Sequence, residues 1–169
     1  MGQKIFSFAC LAAFFSGSHA APQLGELAPE FRLQDQNYEW HSLADYKGKW
    51  VVLYFYPKAD TPGCTTEACE FRDNIFAFDE FNAQVLGVSV DDVASQSEFA
   101  EKYHLPFPLL SDSGKDVARE YDVMGMLFAS RQSFIIAPDG RIAKHYENVR
   151  PAEHTNEVLD DLRALTVKN

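Results

Sequence analysis

Positive charge, cysteine and long apolar runs are all in short supply in this 169-residue chain, and each shortage removes a class of function. Against 25 Asp and Glu stand 15 Lys and Arg, a formal net charge of −10 with no basic block. Such a chain is unsuited to nucleic acid or an anionic membrane surface. The apolar stretch at 5–15 is too short to cross a bilayer as a helix, which takes about 20 residues. No internal repeat, linker or low-complexity segment is present. The three cysteines, Cys10, Cys64 and Cys69, form no C-x-x-C pair. His41, His104, His145 and His154 are scattered, none at metal-ligand spacing from a cysteine, so no metal or other cofactor is called for.

The first twenty residues read as a leader. Lys4 gives a basic start, the stretch at 5–15 has the length of a signal-peptide core, and Ser18-His19-Ala20 offers small residues for cleavage. Arginine, which a transit peptide would carry, is missing from this segment. Cys10 lacks the small residues just before it that a lipoprotein signal needs. We therefore expect a signal peptide over 1–20 and an exported protein, periplasmic or secreted. Residues 21–169 then make one domain of ordinary size. Removing the leader takes away Lys4 and no acidic residue, so the formal charge moves to −11. It also takes away Cys10 and leaves Cys64 and Cys69 as the only pair.

The chain is organised around residues 50–73. Trp50-Val51-Val52-Leu53-Tyr54-Phe55-Tyr56 is β-branched and aromatic and reads as a buried strand stopped by Pro57. Thr61-Pro62 suits the N-cap and first position of a helix. Cys64 then falls in the first helical turn, where free N–H groups and the positive dipole end favour an anion such as a thiolate.

Pro57-x-x-x-Thr61-x-x-Cys64 matches the active-site signature of peroxiredoxins. The longer run Tyr56-Pro57-Lys58-Ala59-Asp60-Thr61-Pro62-Gly63-Cys64-Thr65-Thr66-Glu67-Ala68-Cys69 resembles the bacterioferritin comigratory protein, or peroxiredoxin Q, subfamily. The resemblance implies a thiol peroxidase for hydrogen peroxide and organic hydroperoxides. Cys64 would be the peroxidatic nucleophile, giving a sulfenic acid, and Cys69 the resolving cysteine that closes an intramolecular disulfide. A thioredoxin-like dithiol would reduce that disulfide. A purely structural disulfide is a weak alternative, because so short a loop constrains little of the unfolded chain. By resemblance Thr61 hydrogen-bonds the reacting oxygens and Pro57 shields the thiolate; a plain N-cap and a plain strand terminator are the other readings. Arg131, in Ser130-Arg131-Gln132-Ser133, matches the family's active-site arginine and would stabilise the thiolate and the leaving oxygen. Arg72 reads as a surface or ion-pairing residue. Glu67 is explained by the helix dipole and given no catalytic role. The resemblance also implies a monomer.

Residues five apart on a helix rise about 7.5 Å and turn about 140°, a Cα separation of roughly 8.6 Å. A disulfide needs less than about 7 Å. A continuous helix over 64–69 therefore predicts local unwinding before Cys64 and Cys69 can bond.

The rest of the chain reads as a hairpin at 30–33 and 38–41, a helical turn at 42–46, a helix over 65–82 and a strand at 85–90. A helix at 95–104, a short strand at 109–111 and a helix at 114–121 follow. A hairpin of 133–136 and 141–146 around Ala137-Pro138-Asp139-Gly140 and a helix at 155–166 close the chain. This is an α/β pattern, a central mixed β-sheet flanked by helices. It fits a thioredoxin-like fold with an N-terminal β-hairpin extension, which is also what the resemblance implies. Two rival functions call for other cysteine spacings. An exported thiol-disulfide oxidoreductase would want C-x-x-C behind a tryptophan, and a copper-chaperone-like metal-binding protein of similar fold would want C-x-x-x-C and a histidine.

Overall fold

The computed structural model describes residues 20–167; all but the last residue of the expected leader, Cys10 included, lies outside that range. One seven-stranded mixed sheet carries, in spatial order, β2 (Trp40–Ser42), β1 (Arg32–Gln34), β5 (Leu109–Ser111), β4 (Ala83–Ser89), β3 (Trp50–Phe55), β6 (Gln132–Ile136) and β7 (Ile142–Tyr146). Inside it, next to the middle strand, lies β3, every residue of which is buried. The side chains alternate: Val52 and Tyr54 enter one hydrophobic cluster, Val51, Leu53 and Phe55 the other. A strand covered on both faces has no polar side to show, which is why it reads as an unbroken apolar run.

The first face is covered by α1 (Pro62–Asp73), α2 (Ile75–Glu80), α3 (Val93–Tyr103) and α5 (His154–Thr166), through Phe71, Phe78, Phe99 and Leu162. The second is covered by α4 (Asp116–Glu120) and by Phe31, Leu43 and Tyr46 from the N-terminal segments. Parallel pairing joins β3 to β4 (Ala83–Ser89) and β4 to β5 (Leu109–Ser111). On the other side β6 (Gln132–Ile136) runs antiparallel to β3 and to β7 (Ile142–Tyr146). The turn between them holds Gly140 at φ 86°, a conformation glycine adopts without strain. The N-terminal hairpin, β1 (Arg32–Gln34) with β2 (Trp40–Ser42), joins the sheet through Gln34 opposite Ser111.

The pattern reading meets two corrections. The helix expected over 65–82 starts earlier, at Pro62, and is two helices that meet at Asn74. There the backbone turns to φ −111°, ψ 12°, and the Asn74 side chain donates to the Glu70 carbonyl at 2.9 Å. A short amide side chain competes for helix carbonyls in this way. Apolar spacing passes through the break, with Ala68, Phe71 and Phe78 buried in the same cluster, so periodicity alone could not reveal it. The helix expected over 114–121 is only Asp116–Glu120, because Lys115 ahead of it is left-handed (φ 64°).

Candidate active site

β3 ends at Phe55, Tyr56 and the half-buried Pro57 follow, and α1 begins at Pro62, one residue after Thr61. The start of α1 thus lies at the carboxyl end of a central parallel strand, where open α/β sheets place their ligands. The register of β6 decides the partner. Phe55 pairs with Gln132, so Arg131, one residue earlier, is delivered to the same end of the sheet.

Cys64 is the third residue of α1 and is 1% exposed. Arg131 Nη2 lies 3.3 Å from its sulfur. Gly63 makes room for this approach: a Cβ there would sit 3.2 Å from Arg131 Nη2. A sulfur at a helix N-terminus beside a guanidinium is placed to carry negative charge. Cys69 lies on the same continuous helix, half-buried, and both cysteines are free thiols.

A model of the AhpC/TSA family matches residues 24–145. The chain belongs to that family. Among the relatives of this peroxiredoxin, Peroxiredoxin Bcp of Bacillus subtilis (strain 168) is 40% identical over 154 residues, 86% of this chain and 98% of that protein. The chloroplastic Peroxiredoxin Q of Arabidopsis thaliana is 46% identical over 144 residues, 83% of this chain and 67% of its own length. The crystal structure of a PrxQ mutant from Xylella fastidiosa superposes with a TM-score of 0.83 at 34% identity, covering 87% of this chain and 99% of that one. Peroxidoxin BcpB of Mycobacterium tuberculosis gives 0.79 at 36% identity, covering 85% and 98%. The fold is the thioredoxin-like one, as the pattern led us to expect, and the enzyme is a peroxidase of the Bcp/Q type.

Of the residues singled out in the sequence, the peroxiredoxin fold brings Cys64 and Arg131 into contact and puts Thr61 and Pro57 on the loop leading into α1. Thr61 occupies the N-cap position, yet its hydroxyl caps nothing; it donates to the Lys58 carbonyl at 2.9 Å. The histidines do not converge on the cysteines. His41 bonds Asp35 and Tyr46, His145 bonds Gln132, and His154 bonds Ser133.

Glu67 is the residue that the sequence reading missed. With α1 starting at Pro62, Glu67 is past the first turn, and the dipole does not account for it. Its side chain is fully buried and pairs with Arg131 Nη1 at 2.5 Å. Burial pushes its carboxyl up to about 7, against the opposing pull of Arg131. Positions 64, 67, 68 and 71 fall on one buried face of α1, so Glu67 is a carboxylate set into an apolar stripe. That spacing was the signal available. Its consequence is that Arg131 is held from two sides, by Glu67 through Nη1 and by Cys64 through Nη2.

Proposed function

We propose that this peroxidase works through a two-cysteine cycle within one chain, exported by its leader as a monomeric domain of residues 21–169. The Cys64 thiolate attacks the distal oxygen of a hydroperoxide. An S–O bond forms, the O–O bond breaks, and the leaving alkoxide or hydroxide departs with the electron pair and takes up a proton. Cys69 then attacks the Cys64 sulfenic acid, water leaves, and a thioredoxin-like dithiol reduces the resulting disulfide by exchange. The single observation that carries this reading is the contact of Arg131 with the Cys64 sulfur at the start of α1. Arginine keeps its charge throughout, so one fork of donors can serve both the thiolate and the charge growing on the leaving oxygen. The rival readings find less support: neither cysteine belongs to a group of three potential metal ligands among the described residues. A peroxide-consumption assay run beside a Cu(I) titration separates all three.

Resolution requires the two sulfurs to meet, and α1 is continuous from Cys64 to Cys69. The burial pattern favours release of its first half. Cys64 and Ala68 bury little apolar surface, and returning Glu67 to water removes a desolvation penalty. Phe71 is different. It sits against Tyr54, Phe78, Phe107 and His154, with centroids 4.8 to 6.5 Å away, and removing such a ring from a core costs about 3–5 kcal/mol. Unwinding should therefore stop before Phe71. Hydrogen exchange tests this: amides 64–69 should exchange faster in the oxidised protein than in the reduced one. Equal protection in both states would mean that the helix does not open and that the disulfide needs another route.

The division of labour has its own test. Cys69→Ser should consume about one equivalent of peroxide and then stall, its Cys64 gaining one oxygen and, with excess peroxide, a second. Mass spectrometry of the peptide carrying Cys64 reads this directly. Full-rate turnover of Cys69→Ser with a thioredoxin-like dithiol would show that Cys69 resolves nothing.

A further inference from the structure

On the unwinding proposed above, the part of α1 that opens is flanked by Asp60 and Arg72, and both are tied to the end of α3. The Asp60 carboxylate accepts from Lys102 Nζ at 2.9 and 2.7 Å and from the Tyr103 hydroxyl at 2.7 Å. Arg72 Nη1 donates to the carbonyl of the same Tyr103, the last residue of α3, at 2.7 Å. Taken singly, the contacts have plain explanations. The Asp60–Lys102 pair is exposed, and such pairs add little to stability. Arg72, which also pairs with Asp73, satisfies one of the last carbonyls of α3, which have no partner within the helix. Neither explanation covers the backbone of Asp60. It is left-handed, φ 58°, a conformation that costs a non-glycine residue and persists where surrounding contacts fix it.

The two flanks differ in what holds them. Beyond Cys69, the burial of Phe71 stops the opening. Ahead of Cys64, none of residues 57–63 is buried, so packing offers no stop there. Opening would run back through Thr61 into the loop that carries Pro57. We propose that Lys102 and Tyr103 are positioning residues for the peroxidase cycle: by holding Asp60 they halt the opening of α1 at Thr61 and keep the loop over 57–61 in place while the disulfide exists. The proposal rests on the two-cysteine reading above. After each reduction α1 then rewinds onto a loop that has not moved.

A hold that matters only while α1 is open has a signature that a simple brace lacks. The amide of Ala59, which donates to Asp91 Oδ2 at 2.8 Å, reports whether the loop is in place. Its hydrogen exchange can be followed by NMR in the parent and in the double variant Lys102→Met/Tyr103→Phe. In the reduced proteins α1 is wound and backs the loop, so the two rates should agree within about twofold. In the disulfide forms the double variant should exchange about fivefold or more faster than the parent, the factor that an exposed ion pair and a hydroxyl hydrogen bond together supply. The oxidised parent should protect Ala59 as well as the reduced parent does. Lys102→Arg should behave as the parent. Full protection in the oxidised double variant, an equal loss in both redox states, or a loss already present in the oxidised parent would overturn the proposal. So would a Lys102→Arg protein that exchanges like the double variant.

Should the double variant fold poorly, Asp60→Asn removes the charge from the loop side and keeps a residue type that tolerates left-handed backbone. It should lose protection at Ala59 in the oxidised form alone, and a loss equal in both forms counts against the hold. The parent protein reports on the underlying reading separately. If peptide mapping finds no Cys64–Cys69 disulfide after peroxide, the two-cysteine cycle falls and the hold falls with it. If the disulfide forms and the variants show no redox-dependent loss at Ala59, only the hold falls.

Discussion

Cys64→Ser will reduce peroxide consumption to the uncatalysed level. The reaction needs an atom that can be oxidised by two electrons and then reduced by a thiol, and a serine oxygen can do neither. Cys69 cannot stand in for it, because Arg131 is aimed at residue 64 from the end of β6. The swap exchanges one small atom for another in a site that keeps its guanidinium partner, so the fold should survive. A melting temperature within a few degrees of the parent, together with no turnover, is the expected pair of results. Turnover above a few per cent of the parent rate would mean that the electrons come from elsewhere.

Arg131→Met should lower the rate of sulfenic acid formation by about 10² to 10³, the range for removing a donor that stabilises charge in a transition state. The variant also strands Glu67, whose only ion-pair partner among the described residues is Arg131. Burial already lifts that carboxyl from 4.5 to about 7 in the folded protein, and without Arg131 the lift grows. The sign follows from proton linkage. A carboxyl that is easier to protonate when folded contributes its full stability below about pH 4.5, and that contribution is lost as pH rises through the folded value. A rise from 4.5 to about 7 corresponds to on the order of 3 kcal/mol. The gap in melting temperature between parent and Arg131→Met should therefore widen from pH 5 to pH 8. Adding Glu67→Gln should flatten it. A gap that stays constant with pH, or persists unchanged in the double variant, would show that Glu67 does not answer to Arg131.

Much of this was legible in the sequence because several local signals agreed at one place. The unbroken apolar run of β3, the stop at Pro57 and the helix start at Thr61-Pro62 each follow from backbone sterics, and together they fix where Cys64 sits. Arg131 is 67 residues away in the chain, and only the antiparallel register of β6 on β3 brings it in. Resemblance supplied it; spacing could not. Glu67 was readable from its place on the buried face of α1, although a glutamate so close to a helix start also fits a plain dipole role. The break at Asn74 leaves the apolar period intact, so the pattern passed over it. The Thr61 hydroxyl turns to Lys58, a choice among equivalent rotamers that no sequence rule determines.

The joint at Asn74 has one more consequence. α2 packs Phe78 into the core as a rod of its own, set off from α1 by the turned backbone at Asn74. On the unwinding proposed above, the chain from Ile75 onward is the same object whether the enzyme is spent or fresh. A reductant that docks on that constant part would grip both forms alike and would be slow to let go of the one it had just repaired. To tell them apart it must read the few residues between Thr61 and Phe71. Phe71 and the joint behind it together confine the message to that stretch, much as a perforation decides where a ticket tears.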